Sequence, residues 1–102
     1  MADGKKIDRH SIVSRNEAVL FSDMPDGVAL MDIDSGNYYH YDPVGGQIWS
    51  LLDGNSDVAS ICRTLQGDYD VDPQTCERET IAFLRELHSL GLVAVAGPVI
   101  AR

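Results

Sequence analysis

Residues 35–54 read SGNYYHYDPVGGQIWSLLDG. Ser35 and Gly36 form a turn, and the segment Asn37 to Tyr41 that follows crowds Tyr38, Tyr39, His40 and Tyr41 into an extended run, a composition that suits a pleated, half-buried surface. Asp42 and Pro43 then switch the period. An aspartate cap with proline in the first turn opens a helix, and Val44, Ile48, Leu51 and Leu52 recur at helical spacing until Asp53 and Gly54 stop it. Gly45 and Gly46 weaken that helix by about 1 kcal/mol each relative to alanine, so their presence points to close packing. Trp49, the single tryptophan, falls on the flank of the apolar stripe and is expected at the edge of the core.

On the amino-terminal side the pattern stays β. Glu17 to Asp23 and Val28 to Ile33 are apolar-rich runs separated by Met24, Pro25, Asp26 and Gly27, which supply a tight turn. With Asn37 to Tyr41 they make a three-stranded antiparallel meander. On the carboxyl-terminal side a second helix begins near Ser56 or Asp57, carries Val58, Ile61, Cys62 and Leu65, and ends by Gly67. Asp72 and Pro73 repeat the cap and proline device, and a third helix runs to Leu90, with Gly91 as its left-handed cap. Leu92 to Ala96 has the composition of a short extended piece. The fold class expected is α+β, three strands followed by three helices. Residues 1–10, polar and carrying Lys5, Lys6 and Arg9, read as a loose arm, 11–96 as one domain, and 97–102 as a tail.

The chain of 102 residues is 44% hydrophobic with a formal net charge of −8. That is enough apolar content for one core, and the average field repels nucleic acid. Cys62 and Cys76 are fourteen residues apart with no CxxC spacing, and His10, His40 and His88 fall on separate elements, so the expectation is reduced packing cysteines and no metal site. The sequence contains no complete phosphate-binding glycine loop and no nucleophile beside a paired base, so neither catalysis nor a cofactor is expected. No signal-peptide pattern or membrane-length apolar run occurs, and a cytoplasmic protein is the expectation.

The series YYHYDPVGGQIWSLLDG, DVASIC and FLRELHSLGLV resembles the PqqD-like precursor-peptide recognition elements of ribosomally made, modified peptides, over roughly residues 15 to 95. The standalone members of lasso-peptide clusters are the most similar. The resemblance implies a winged helix-turn-helix whose third strand accepts the leader of a precursor peptide as an added strand, beside the third helix. Partners would be that leader and an enzyme of the same pathway, such as a leader protease or an ATP-dependent ring-forming enzyme.

Carried onto this sequence, the peptide-binding edge is Asn37, Tyr38, Tyr39, His40 and Tyr41. Tyr39 and Tyr41 share one face of the strand and Tyr38 and His40 the other, so one pair packs inward. The other wall is drawn from the third helix. At about 100° per residue, Cys76, Thr80, Phe83, Leu87 and Leu90 form one stripe with Leu84 at its margin, while Ile81 falls outside it beside Arg85 and His88. The resemblance then implies that Ile81, Leu84 and His88 belong to the groove, with Arg78 and Arg85, about 20° apart, either meeting acidic residues of the leader or forming ordinary surface pairs with neighbouring glutamates. The rival reading is a winged-helix DNA-binding regulator. It is opposed by a third helix whose two arginines face Glu77, Glu79 and Glu86.

Overall fold

The computed structural model describes residues 7–96. The elements are β1 (Ile12–Arg15), β2 (Val19–Met24), β3 (Gly27–Asp32), β4 (Tyr38–Tyr41), α1 (Pro43–Ser50), β5 (Asp53–Asp57), α2 (Val58–Asp68), α3 (Pro73–Ser89) and β6 (Val93–Ala96). The expected meander is the sheet β2-β3-β4, and a second three-stranded sheet, ordered β5-β1-β6, joins the chain ends to the middle. The α+β class therefore holds, with the three helices in the expected order.

Two turns set the meander. Met24 pairs with Gly27 across Pro25 and Asp26, and Gly27 takes a φ of 142°, a region essentially closed to residues with a Cβ. Between β3 and β4, Gly36 has a φ of 77° and donates its N–H to the Asp32 carbonyl at 2.7 Å. The buried carboxylate of Asp32 accepts the Asp34 N–H at 3.0 Å, so a side chain in the core-facing row also shapes the turn.

Each helix begins with an aspartate that accepts a backbone N–H three residues on. Asp42 takes that of Gly45 at 2.8 Å, Asp57 that of Ser60 at 2.9 Å and Asp72 that of Thr75 at 2.9 Å. These N–H groups are the orphans of a helix start, and binding them favours the charged carboxylate. Asp57 and Asp72 accordingly titrate below the ordinary carboxylate range, the N–H bonds being the largest cause.

Val28 and Leu30 of β3 pack inward with Ile48, Trp49, Leu52, Ile61, Leu65, Leu84 and Leu87, and Val13, Val93 and Val95 carry the second sheet into the same core. Trp49 is only 1% exposed, inside the core rather than at its edge. The ring of Phe21 meets it edge-on at 5.9 Å. Cys62 and Cys76 are buried and free. The Cys76 thiol points at the Cys62 carbonyl at 3.8 Å, and burial pushes the Cys62 thiol up to about 11, which leaves it unreactive at neutral pH.

Two further sequence expectations need correction. The loose arm over residues 1–10 overlaps the fold: Ile7 is buried in the core, Ala59 donates its N–H to the Arg9 carbonyl, and Val58 donates to that of Ser11. Residues 1–6 of the arm and the tail 97–102 lie outside the described residues. The buried arc of α3 is also rotated from the one expected. It comprises Cys76, Thr80, Leu84 and Leu87, so Leu84 belongs to the core and Phe83 is half-buried.

Candidate functional site

β4 is an outer strand of its sheet, and the register decides what its open edge offers. Val28, Ala29, Leu30 and Met31 oppose Tyr41, His40, Tyr39 and Tyr38. One residue further along the same register, the Asp32 N–H donates to the Asn37 carbonyl at 3.0 Å. That bond marks 32 and 37 as a hydrogen-bonded pair, and such pairs alternate in antiparallel sheets. Tyr39 and Tyr41 therefore direct their backbone groups toward β3, whereas Tyr38 and His40 direct theirs into the free edge.

The side chains alternate as well. Tyr39 and Tyr41 pack on the core, and Tyr38, 76% exposed, stands with His40 on the outer face. His40 Nε2 lies 3.2 Å from the Asp26 carboxylate in the neighbouring turn. Asn37 is exposed, and its side-chain amide donates to the Tyr39 hydroxyl at 3.4 Å.

Where β4 runs into α1, a cleft of about 530 Å³ opens toward α3 and the end of α2. Val44, Ile48, Leu65, Val71 and Phe83 give it an apolar lining, and Tyr41 forms the side nearest the strand edge. The Tyr41 and Phe83 rings meet edge-on, 5.0 Å apart at 83°, a favoured aromatic geometry. The Tyr41 hydroxyl donates to Glu86 Oε2 at 3.2 Å. Burial first, and the neighbouring Glu86 carboxylate second, push the Tyr41 hydroxyl up to about 12, so it remains a donor throughout the physiological range.

Gly45 is what lets these rings close over α1. A Cβ there would fall 2.9 Å from Tyr41 Cβ and 3.2 Å from Phe83 Cζ. The close packing expected at the glycine pair is thus, at Gly45, a contact with the cleft itself, and at Gly46 a contact with β3, where an added Cβ would lie 3.4 Å from that of Val28.

The structure separates the sequence-derived candidates. His40 and Tyr41 line the cleft, Tyr38 and Tyr39 complete β4, and Asn37 lies just before the strand rather than in it. On α3 the cleft is lined by Cys76, Glu79, Thr80, Phe83 and Glu86. Arg78, Ile81, Arg85 and His88 are not among the lining residues, and Leu84 is fully buried. Ile81 stands about 160° around the helix from Phe83 and packs, partly buried, against the core. The wall inferred from Ile81 therefore lies on the flank of α3 away from this cleft.

The residues missed by sequence reasoning are Phe83, Glu79 and Glu86, spaced four and three apart on one strip of the helix. Their spacing is visible in the sequence, but it does not reveal which flank the strand edge approaches.

The electrostatics of this cleft are opposite to those expected from Arg78 and Arg85. Its charged lining residues are Asp42, Glu79 and Glu86, with no lysine or arginine. Among the described residues no group of three or more His, Cys, Asp or Glu side chains is placed to hold a metal ion, and no helix is long and apolar enough to cross a membrane.

An open strand edge, an adjoining apolar cleft and a helix wall place the chain among peptide-recognition folds by geometry. The family model for coenzyme PQQ synthesis protein D (PqqD) matches residues 27–93, and the chain belongs to that family. Among solved structures it is similar to TbiB1 in complex with the TbiA(β) leader peptide, at 31% identity and a TM-score of 0.74, covering 87% of this chain and 99% of that one. A lasso peptide synthetase B1 complexed with the leader peptide shares the fold at 20% identity and a TM-score of 0.73, covering 81% of this chain and 98% of that one. No curated protein matches the chain.

The half-buried position of Phe83 has a measurable consequence. Phe83→Ala is expected to lower stability by about 2 kcal/mol, less than the roughly 3–5 kcal/mol of a fully buried phenylalanine, because part of the ring already faces the cleft. Urea denaturation checks this, and a loss as large as that of Trp49→Ala would put Phe83 in the core after all.

Proposed function

We propose that the chain is a non-catalytic recognition protein that binds the leader of a ribosomally made precursor peptide as a fourth strand on β4, and presents the rest of the precursor to modifying enzymes. The observation that carries this reading is the outward backbone of Tyr38 and His40 beside the cleft behind Tyr41 and Phe83. Main-chain bonds at the edge supply affinity for an extended peptide, and the cleft supplies selection among side chains. The likeness to TbiB1 supports the leader as ligand. The enzymes receiving it would be a leader protease and a ring-forming enzyme of a lasso-type pathway. The chain acts by proximity, since a held leader raises the local concentration of the attached segment at the enzyme that changes it.

A DNA-binding role is not favoured. The exposed arginines of α3, Arg78 and Arg85, share the helix with Glu77, Glu79 and Glu86, and the whole chain carries −8, which leaves phosphate neutralisation poorly provided for.

Hydrogen exchange tests the proposal. Peptides selected from a random library on the immobilised protein are expected to slow exchange at the Tyr38 and His40 amides while leaving β1 nearly unchanged. Binding that protects every strand alike, or leaves these two amides untouched, would overturn strand addition.

A further inference from the structure

The charge of the cleft specifies the peptide more narrowly. Glu79 and Glu86 both line it, both are exposed to solvent at its rim, and they occupy the same strip of α3. They are seven positions apart in the helix, about 10 Å along the axis, close to the rise of three residues of an extended chain. The charged residue on the opposite side of the cleft is Asp42, also an acid, and its carboxylate is already held by the Gly45 N–H. Glu86 keeps one oxygen on the Tyr41 hydroxyl, which leaves the second free to accept. An acidic peptide laid here would meet like charge along the helix wall, whereas a basic side chain would gain a charge-assisted hydrogen bond at each glutamate.

From this lining we infer that the leader recognised by this chain is basic where it passes α3, with lysine or arginine side chains about two to four residues apart facing Glu79 and Glu86, and a large apolar residue beside them entering the cleft. The inference rests on the leader-binding reading and names its ligand class. It reverses the partner charge that an Arg78 and Arg85 wall would select. The glutamates act as specificity determinants: edge bonds serve any sequence, and like-charge juxtaposition at the rim rejects the wrong one.

Selection of a random peptide library on the wild-type protein and on the double variant Glu79→Lys/Glu86→Lys tests it. Wild-type protein is expected to enrich peptides with lysine or arginine next to a large apolar residue, and the double variant to enrich aspartate or glutamate at those positions. A wild-type-selected peptide should bind the double variant at least about tenfold more weakly at low salt, with the gap narrowing as salt rises. Circular dichroism confirms that the double variant is folded. Enriched peptides that protect the Tyr38 and His40 amides but show no charge preference, or the same motif on both proteins, would overturn the basic-leader inference alone. Enriched peptides that leave those amides unprotected would overturn the leader-binding reading and the inference with it.

Discussion

Gly27→Ala is expected to abolish cooperative folding at room temperature or leave a protein that unfolds in the first increments of urea. A Cβ at this position would lie 1.8 Å from the Tyr41 carbonyl oxygen, 2.8 Å from its carbon and 2.9 Å from the Asp42 carbonyl carbon. All three are backbone atoms at the junction of β4 and α1, so no side chain can swing aside. A φ of 142° adds strain of about 1–3 kcal/mol for any residue other than glycine. The chain can relieve the clash only by separating β3 from β4, which loses ladder bonds and uncovers Val28 and Leu30. A total above roughly 4 kcal/mol is expected, a large part of the stability of a domain this size. Gly36→Ala is the control. Its φ of 77° is also left-handed, but nothing lies within 4 Å of the added methyl, and only about 1–2 kcal/mol should be lost. Equal urea midpoints for the two variants would refute the steric argument.

Much of this architecture was legible because the deciding signals are local. Asp42 with Pro43 and Asp72 with Pro73 mark helix starts by chemistry that acts within one turn, and the alternation at Tyr38 to Tyr41 is a property of any strand. β5 was invisible for the opposite reason. Its sequence, DGNSD, offers no apolar alternation; Asn55 and Ser56 donate backbone N–H groups to the Asp53 carboxylate, and its extended form depends on pairing with β1 through a shifted register. Ile7 likewise looked like part of a polar arm, since one isoleucine among charges carries no period.

Which flank of α3 faces the strand edge was not legible, through an ambiguity of helices. An apolar stripe has two flanks, and periodicity treats them alike. The displaced Ile81 marked one flank as needing cover, and that cover is the protein's own core. The other flank, with Phe83 between Glu79 and Glu86, faces β4, a fact fixed by the path of the chain through α1 and α2. The contact of Gly45 with both Tyr41 and Phe83 carries the same information, but only once the fold is known.

His40→Pro should leave the protein folded and remove most of its affinity for peptide. The His40 backbone points into the free edge, so proline there costs no bond to β3, and proline is tolerated on edge strands for this reason. The exposed pairing with Asp26 is lost too, which matters little for stability. A peptide strand added at the edge would lose the N–H donor that satisfies one of its carbonyls and would meet the pyrrolidine ring instead. An unmade bond of this kind costs about 1–3 kcal/mol, so affinity should fall roughly ten- to a hundredfold. Two companions isolate the cause. His40→Ala keeps the N–H while deleting the imidazole, and should bind nearly as well as wild type. Tyr39→Pro removes a donor directed at β3 and should unfold the meander. Fluorescence anisotropy with a library-selected peptide, read beside circular dichroism, distinguishes these results. Wild-type affinity in folded His40→Pro protein would mean that the peptide does not add to β4, whatever its side chains do in the cleft.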